Sequence, residues 1–314
     1  MIDITLDNLE TELIQASLAQ PVLLDIWAPW CGPCKALGPL LEKLEARYAG
    51  RFKLAKLNSD EQPEIAGQLS QSFGVRSIPF CVMFVGGQPV DGFVGALPQA
   101  QIEAFLDKHV PGADELAAAE EVEAAAELAA DGNPEAALLK LGEALALNPT
   151  DDTLRGDYVK ALIEAGQVVE ARRTWEPLAP KAIIDQRASA LGLYLDAVAA
   201  APRARSVEAL ASAIGANSRD FAARFELAQT HFAARRFTAA MDELLEIVMR
   251  DKSWSDQLAR RTYVAILEIM TKPAPKTAAT DTAKGTLELT GRAAVVAGDP
   301  VIDQYRRKLS MALF

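Results

Sequence analysis

The chain has little from which a metal centre or a secreted disulfide framework could be built. Its 314 residues include two histidines and three cysteines. A metal site would therefore need mostly carboxylates, and none are suitably clustered along the chain. An odd cysteine count at this length is not that of a disulfide-stapled secreted fold. Basic charge is also short. Lys and Arg number 32 against 43 Asp and Glu, a net −11, which argues against nucleic acid and anionic membranes as partners. No run of about eighteen apolar residues occurs, so no membrane-spanning helix is expected. Residues 1–7 are acidic and alternating, without the basic flank and apolar centre of a signal peptide. The expectation is a soluble, cytoplasmic protein with no metal and no cofactor. Half of its residues are hydrophobic, enough for real cores, and the length suits about two domains.

Two of the cysteines, Cys31 and Cys34, form a Cys-x-x-Cys pair, while Cys81 stands apart. Such a pair is either half a zinc site or a redox motif. Zinc would need two further ligands. Cys81 lies in an apolar run, His109 ends a helical stretch and His231 sits among alanines, so they make a poor set. Both histidines are expected to be structural. Cys81 is expected to pack as a small hydrophobe.

Residues 1–111 read as alternating strands and helices. Residues 22–27, 52–57 and 78–85 are short apolar runs of the buried-strand kind. Gly86-Gly87 turns the third run into a fourth strand over 89–94. Helical stretches cover 8–18, 31–48, 63–71 and 98–109. This alternation predicts βαβ units with helices covering a central sheet. The composition then changes at Pro111-Gly112. Residues 114–131 are acidic and alanine-rich, with no Lys or Arg. From 112 to 270 the periodicity is helical and no strand is convincing.

That stretch repeats. Gly132-Asn133-Pro134-Glu135-Ala136-Ala137 aligns with Gly166-Gln167-Val168-Val169-Glu170-Ala171 at a spacing of 34 residues. A third copy, Arg235-Arg236-Phe237-Thr238-Ala239-Ala240, lies 69 residues further on, two periods plus one. Between them, around 199–202, the repeat is degenerate. Thirty-four residues is the tetratricopeptide period, with a small residue at the turn and alanine where helices pack closely. The plain alternative is an alanine-rich bundle. Residues 271–300 hold Lys272-Pro273-Ala274-Pro275-Lys276-Thr277, and this composition predicts a flexible insertion. Residues 301–314 turn amphipathic again, with Ile302, Tyr305, Leu309 and Leu313 on one helical face and Asp303, Arg306 and Arg307 opposite.

The chemistry sits in Trp30-Cys31-Gly32-Pro33-Cys34-Lys35, which follows a strand and opens a helix. Disulfide exchange needs a thiolate, and a cysteine at a helix N-terminus gains from the dipole and free N–H groups. Cys31 is expected there, exposed, as nucleophile. Cys34 lies one turn on and would attack a mixed disulfide on Cys31. Gly32 and Pro33 form the turn, and Pro33 costs no helical bond in the first turn.

With these residues, the first 110 positions resemble thioredoxin, through Trp27-Ala28-Pro29-Trp30-Cys31-Gly32-Pro33-Cys34-Lys35, Ala55-Lys56-Leu57-Asn58, Ile78-Pro79 and Val94-Gly95-Ala96. The resemblance implies a thiol–disulfide oxidoreductase of α/β thioredoxin fold, followed by an all-α repeat domain. It also implies a cis proline at Pro79 beside the cysteines, and a buried acid at Asp25, flanked by Lys56, that assists deprotonation of the resolving thiol. Burial would raise the pKa of Asp25; the alternative is a partly solvated strand-end acid. Trp30, Gly32, Pro33 and Ile78 are expected to meet the substrate.

The whole arrangement, including Gln88-Pro89-Val90-Asp91-Gly92-Phe93 and Tyr305-Arg306-Arg307, is similar to the bacterial chaperedoxins, the CnoX/YbbN co-chaperones. That resemblance implies a holdase that keeps unfolding or oxidised proteins soluble and passes them to the chaperonin GroEL and to DnaK. Thioredoxin reductase would be a further partner. Some members carry a cysteine after the third strand, where this chain has Ser59, leaving Cys31 to form any client adduct. The alternative function is a disulfide reductase whose repeats are an adaptor for one dedicated partner. A short terminal helix is marginal alone, so its stripe needs a surface, either the last repeat or a partner. The resemblance points to GroEL, met by Tyr305, Leu309 and Leu313, with little change in melting temperature on their removal.

Overall fold

The structure, a computed structural model, describes residues 2–271 and 299–313. The chain separates into two units, the first ending at Leu116 and the second starting at Ala117.

In the first unit β1 (Ile2–Asp3) precedes a wide helical segment, Leu9–Gln15, and α1 (Ala16–Ala19). Then come β2 (Val22–Trp27), α2 (Gly32–Arg47), β3 (Lys53–Asn58) and α3 (Pro63–Phe73). The hairpin of β4 (Phe80–Val85) and β5 (Gln88–Val94) leads to α4 (Gln99–Leu106). The five strands form one sheet in the order β1-β3-β2-β4-β5. β1, β3 and β2 run parallel, whereas β4 is antiparallel to β2 and to β5. β1 was not anticipated, because two residues are too few to show a period.

Both faces of this sheet are covered, so β2 reads as an apolar run rather than an alternation. Leu23, Met83 and Phe93 pack with Leu37 and Leu41 of α2 and with Ile102 and Leu106 of α4. Val22, Leu24 and Ile26 pack on the other face with Leu13, Ile65 and Phe84. The period of two therefore puts Asp25 on the α2 face beside Leu23. β5 lies close over β4 at Gly92, where a Cβ would stand 2.8 Å from the Cys81 carbonyl oxygen. No side chain fits there without moving the backbone.

The division between units falls inside α5 (Ala113–Ala130). The second unit, among the described residues, is helical throughout. Its helices are α6 (Pro134–Leu147), α7 (Asp152–Glu164), α8 (Val168–Trp175), a 3₁₀ segment Glu176–Ile183, α9 (Gln186–Ala200) and a short 3₁₀ turn Ala201–Arg203. α10 (Val207–Ala216), α11 (Phe221–Ala233), α12 (Phe237–Arg250), α13 (Trp254–Met270) and α14 (Pro300–Leu313) complete it.

The three aligned sequence motifs are one physical turn used three times. Gly132, Gly166 and Arg235 take φ of 78°, 75° and 60°. Each following N–H reaches five residues back: Asn133 to Leu128 O at 2.9 Å, Gln167 to Leu162 O at 2.9 Å, Arg236 to His231 O at 2.8 Å. This is the Schellman closure of a helix end. The first two copies fill its left-handed position with glycine; the third strains an arginine into it. Behind the turns, Leu162, Tyr194, Phe232, Met241, Leu244, Tyr263 and Ile266 build the core, with Tyr194 stacked on Phe232 at 4.6 Å between ring centres.

The structure corrects the expectation for the tail. Ile302, Tyr305 and Leu309 are buried in the helical core, with Leu313 packed against it, and not offered to a partner. Tyr263 Oη donates to the Tyr305 carbonyl at 2.8 Å, and Tyr305 Oη donates to Asp242 Oδ2 at 3.1 Å. Lys308 Nζ donates to Asp242 Oδ1 at 3.1 Å and lies over the Tyr305 ring. The reason is that α12 and α13 already supply the apolar surface that the stripe needs. The exposed side of α14 carries Arg306, Arg307 and Met311. The expected flexible insertion over 271–300 falls almost wholly outside the described residues.

Candidate active site

β2 delivers the chain to Ala28, and two exposed residues later Cys31 becomes the N-cap of α2. Its Sγ accepts a hydrogen bond from the backbone N–H of Cys34 at 3.2 Å. Pro33 stands in the first turn, where its missing N–H removes no bond. Cys31 and Cys34 are joined as a disulfide, their Cα atoms 5.3 Å apart. The N–H groups and dipole of α2 point at Cys31, so negative charge on that sulfur is favoured when the bond opens.

Exposure of Cys31 is not what the structure shows. Cys31 is 3% exposed and Cys34 4%, packed with Ala28 against the flanks of Trp27 and Ile78. Sulfur bonded to sulfur turns inward against these side chains. Around the pair, Trp30, Gly32 and Pro33 are exposed and Ile78 is half-buried. The Trp30 indole, 70% exposed, is fixed by donating from Nε1 to Asp60 Oδ2 at 3.0 Å. No local pattern signals that anchor, because Asp60 lies thirty residues away. Ile78-Pro79 is a cis peptide, and the Pro79 carbonyl accepts from Gly95 N–H at 2.8 Å.

Asp25 is 1% exposed, which excludes the solvated strand-end alternative. Register sets it between Lys56 in β3 and Cys81 in β4. Burial raises its carboxyl to about 6; Lys56 and the Cys81 thiol partly oppose this, and Glu42 adds to it. Lys56 Nζ donates to Glu42 Oε1 of α2 at 2.7 Å. The ammonium lies where α2 passes over at Gly38, one turn beyond Cys34, in ordinary contact distance of a Cβ added there. Cys81 is completely buried with its Sγ 3.8 Å from Asp25 Oδ1. Its packing role was legible from the apolar run; its contact with the acid depends on strand register, which the sequence did not reveal.

Neither histidine enters these contacts. His109 Nε2 is 2.9 Å from Asp91 Oδ2 and its ring packs on Phe105; burial lowers the pKa of His231. Among the described residues no three metal-ligating side chains converge, and no helix is long and apolar enough to cross a membrane.

A thioredoxin family profile matches residues 1–108, and tetratricopeptide-repeat profiles match residues 128–191 and 200–281. Thioredoxin 1 of a Nostoc species is 46% identical over 90 residues, 29% of this chain and 80% of that protein. Thioredoxin of Chlorobaculum thiosulfatiphilum is 48% identical over 103 residues, 33% of this chain and 90% of its own length. Thioredoxin of a Synechocystis species is 43% identical over 104 residues, covering 33% and 87%. Likeness at this level, together with a helix-capping cysteine pair on the same fold, makes the first unit a thiol–disulfide oxidoreductase. The chain belongs to the thioredoxin family, and tetratricopeptide repeats, modules of protein–protein contact, follow its redox domain.

Proposed function

We propose that this protein is a co-chaperone of the chaperedoxin kind, which holds unfolding or oxidised proteins and reduces their disulfides. Cys31 attacks as the thiolate, forms a mixed disulfide with one client sulfur and releases the other as a thiolate. The Cys34 thiol then gives its proton to the Asp25 carboxylate and attacks Cys31 Sγ. This expels the client thiolate and re-forms the Cys31–Cys34 disulfide. Two electrons must then be restored from outside, a task that suits a thioredoxin reductase in a cytoplasmic setting. Trp30, Gly32, Pro33 and Ile78 would bear the client strand, with the backbone beside cis-Pro79 free to pair with it.

The observation that carries the redox half is the Cys31 sulfur at the head of α2, accepting the Cys34 N–H. The holding half is supported by apolar side chains left in solvent on the helical unit. Ile183 and Ile184 are each 91% exposed, Val169 87% and Leu139 71%. Hand-off to GroEL and DnaK completes the reading, with domains over 1–111, 112–270 and 301–314. Tyr305 and Leu309, buried in the core, and Leu313, packed against it, are not offered as its contact.

Capture with Cys34→Ala tests the redox half, because the mixed disulfide on Cys31 then cannot resolve. A ladder of many adducts, abolished by Cys31→Ala, is expected. Light scattering on several unrelated unfolding proteins tests the holding half. Protection of all of them is expected; protection of none, or adducts with one protein alone, would favour an adaptor for a dedicated partner.

A further inference from the structure

Cys81 enters none of these steps. It lies in β4 directly across from Asp25 in β2, while Lys56 faces Asp25 from β3. The groups facing the carboxyl are thus Lys56 from β3, Cys81 from β4 and Glu42 from α2. Lys56 gives its ammonium to Glu42 at 2.7 Å. Among the described residues, the Cys81 S–H is then the hydrogen-bond donor in reach of Asp25, at 3.8 Å from Oδ1. A carboxylate buried with no donor bears its whole desolvation cost.

We propose that Cys81 is a positioning residue for the redox site, its S–H hydrogen bond holding the Asp25 carboxylate charged and oriented beneath α2. This rests on the proposed role of Asp25 as proton acceptor for Cys34. An aliphatic side chain in β4 would fill the same space but offer no donor. Cys81 stays a thiol throughout. Burial first, and then the adjacent Asp25, push its pKa well above the ordinary value, so it donates and does not act as a third nucleophile. The sign of its removal is fixed. Losing a bond made to the charged form favours the neutral form, and Asp25 must then titrate at higher pH.

The test follows the Asp25 carboxyl carbon by NMR through a pH titration of the oxidised full-length protein. Cys81→Val should raise the midpoint by about half a pH unit. Cys81→Ala should move it in the same direction, and Cys81→Ser, which keeps a donor, should hold or lower it. The acid limb of insulin reduction should shift along with the midpoint. Unchanged midpoints in the valine and alanine variants overturn the proposal. A midpoint that moves while the rate profile stays put supports it and overturns the role given to Asp25.

Discussion

The two units bury polarity differently. The sheet unit covers an ionisable carboxyl, Asp25, whereas among the described residues the polar side chains that the helical unit covers are hydroxyls, such as Thr174 and Thr262. Charge pairs such as Arg205–Glu226 and Arg250–Glu246 lie at its surface, where each contributes little. A carboxyl pushed up to about 6 destabilises the folded state at neutral pH, so a unit built only for packing has no reason to contain one. The unit that bears the exchangeable disulfide does. Placed on the same face of the sheet as α2, such an acid can take up and return a proton. The redox chemistry and the buried charge therefore lie on one side of the division, and the repeat surface on the other.

The sharpest break would come from the cysteines. Cys31→Ala should reduce insulin turnover to the uncatalysed background, while the helical unit's circular dichroism melt stays unchanged. Removing Asp303 to Phe314 should do the reverse. It uncovers Tyr263 and strips Ile302's neighbours Tyr305 and Leu309 from the core. A loss on the order of 3 kcal/mol, or roughly 10 °C in the helical melt, is expected, with insulin reduction intact. A smaller effect should come from Arg235→Gly, which places glycine where φ is already 60°. The helical unit should gain about 0.5–1 kcal/mol, read as a slightly higher melting temperature, because the third turn would then match the first two.

Legibility in the sequence followed the range of the interactions. The Cys-x-x-Cys motif, its strand before and helix after, and the repeat turns at Gly132 and Gly166 are all local, and local patterns survive in a linear string. Strand β2 was visible because both faces of the sheet are covered. What escaped was tertiary. Cys81 meets Asp25 only through the β2–β4 register. Trp30 finds Asp60 thirty residues away. The inward turn of Cys31 depends on Ala28, Trp27 and Ile78 gathering around the disulfide. The period of the terminal stripe marks a surface-seeking helix, yet it says nothing about which surface; α12 and α13 decide that by packing against it.

The contrast between the units is tested most directly by the pH dependence of stability in wild type and Asp25→Asn, both oxidised. The Asp25 pKa is raised from 3.8 when unfolded to about 6 when folded. The folded protein keeps this proton longer, so its contribution to stability is fully present below pH about 4 and is lost as the pH rises to about 6. Asparagine removes that loss. Chemical denaturation should give equal or lower stability for the variant at pH 4, and a gain on the order of 3 kcal/mol by pH 7 in the sheet transition alone. A stability difference that stays constant from pH 4 to pH 8 would contradict the account.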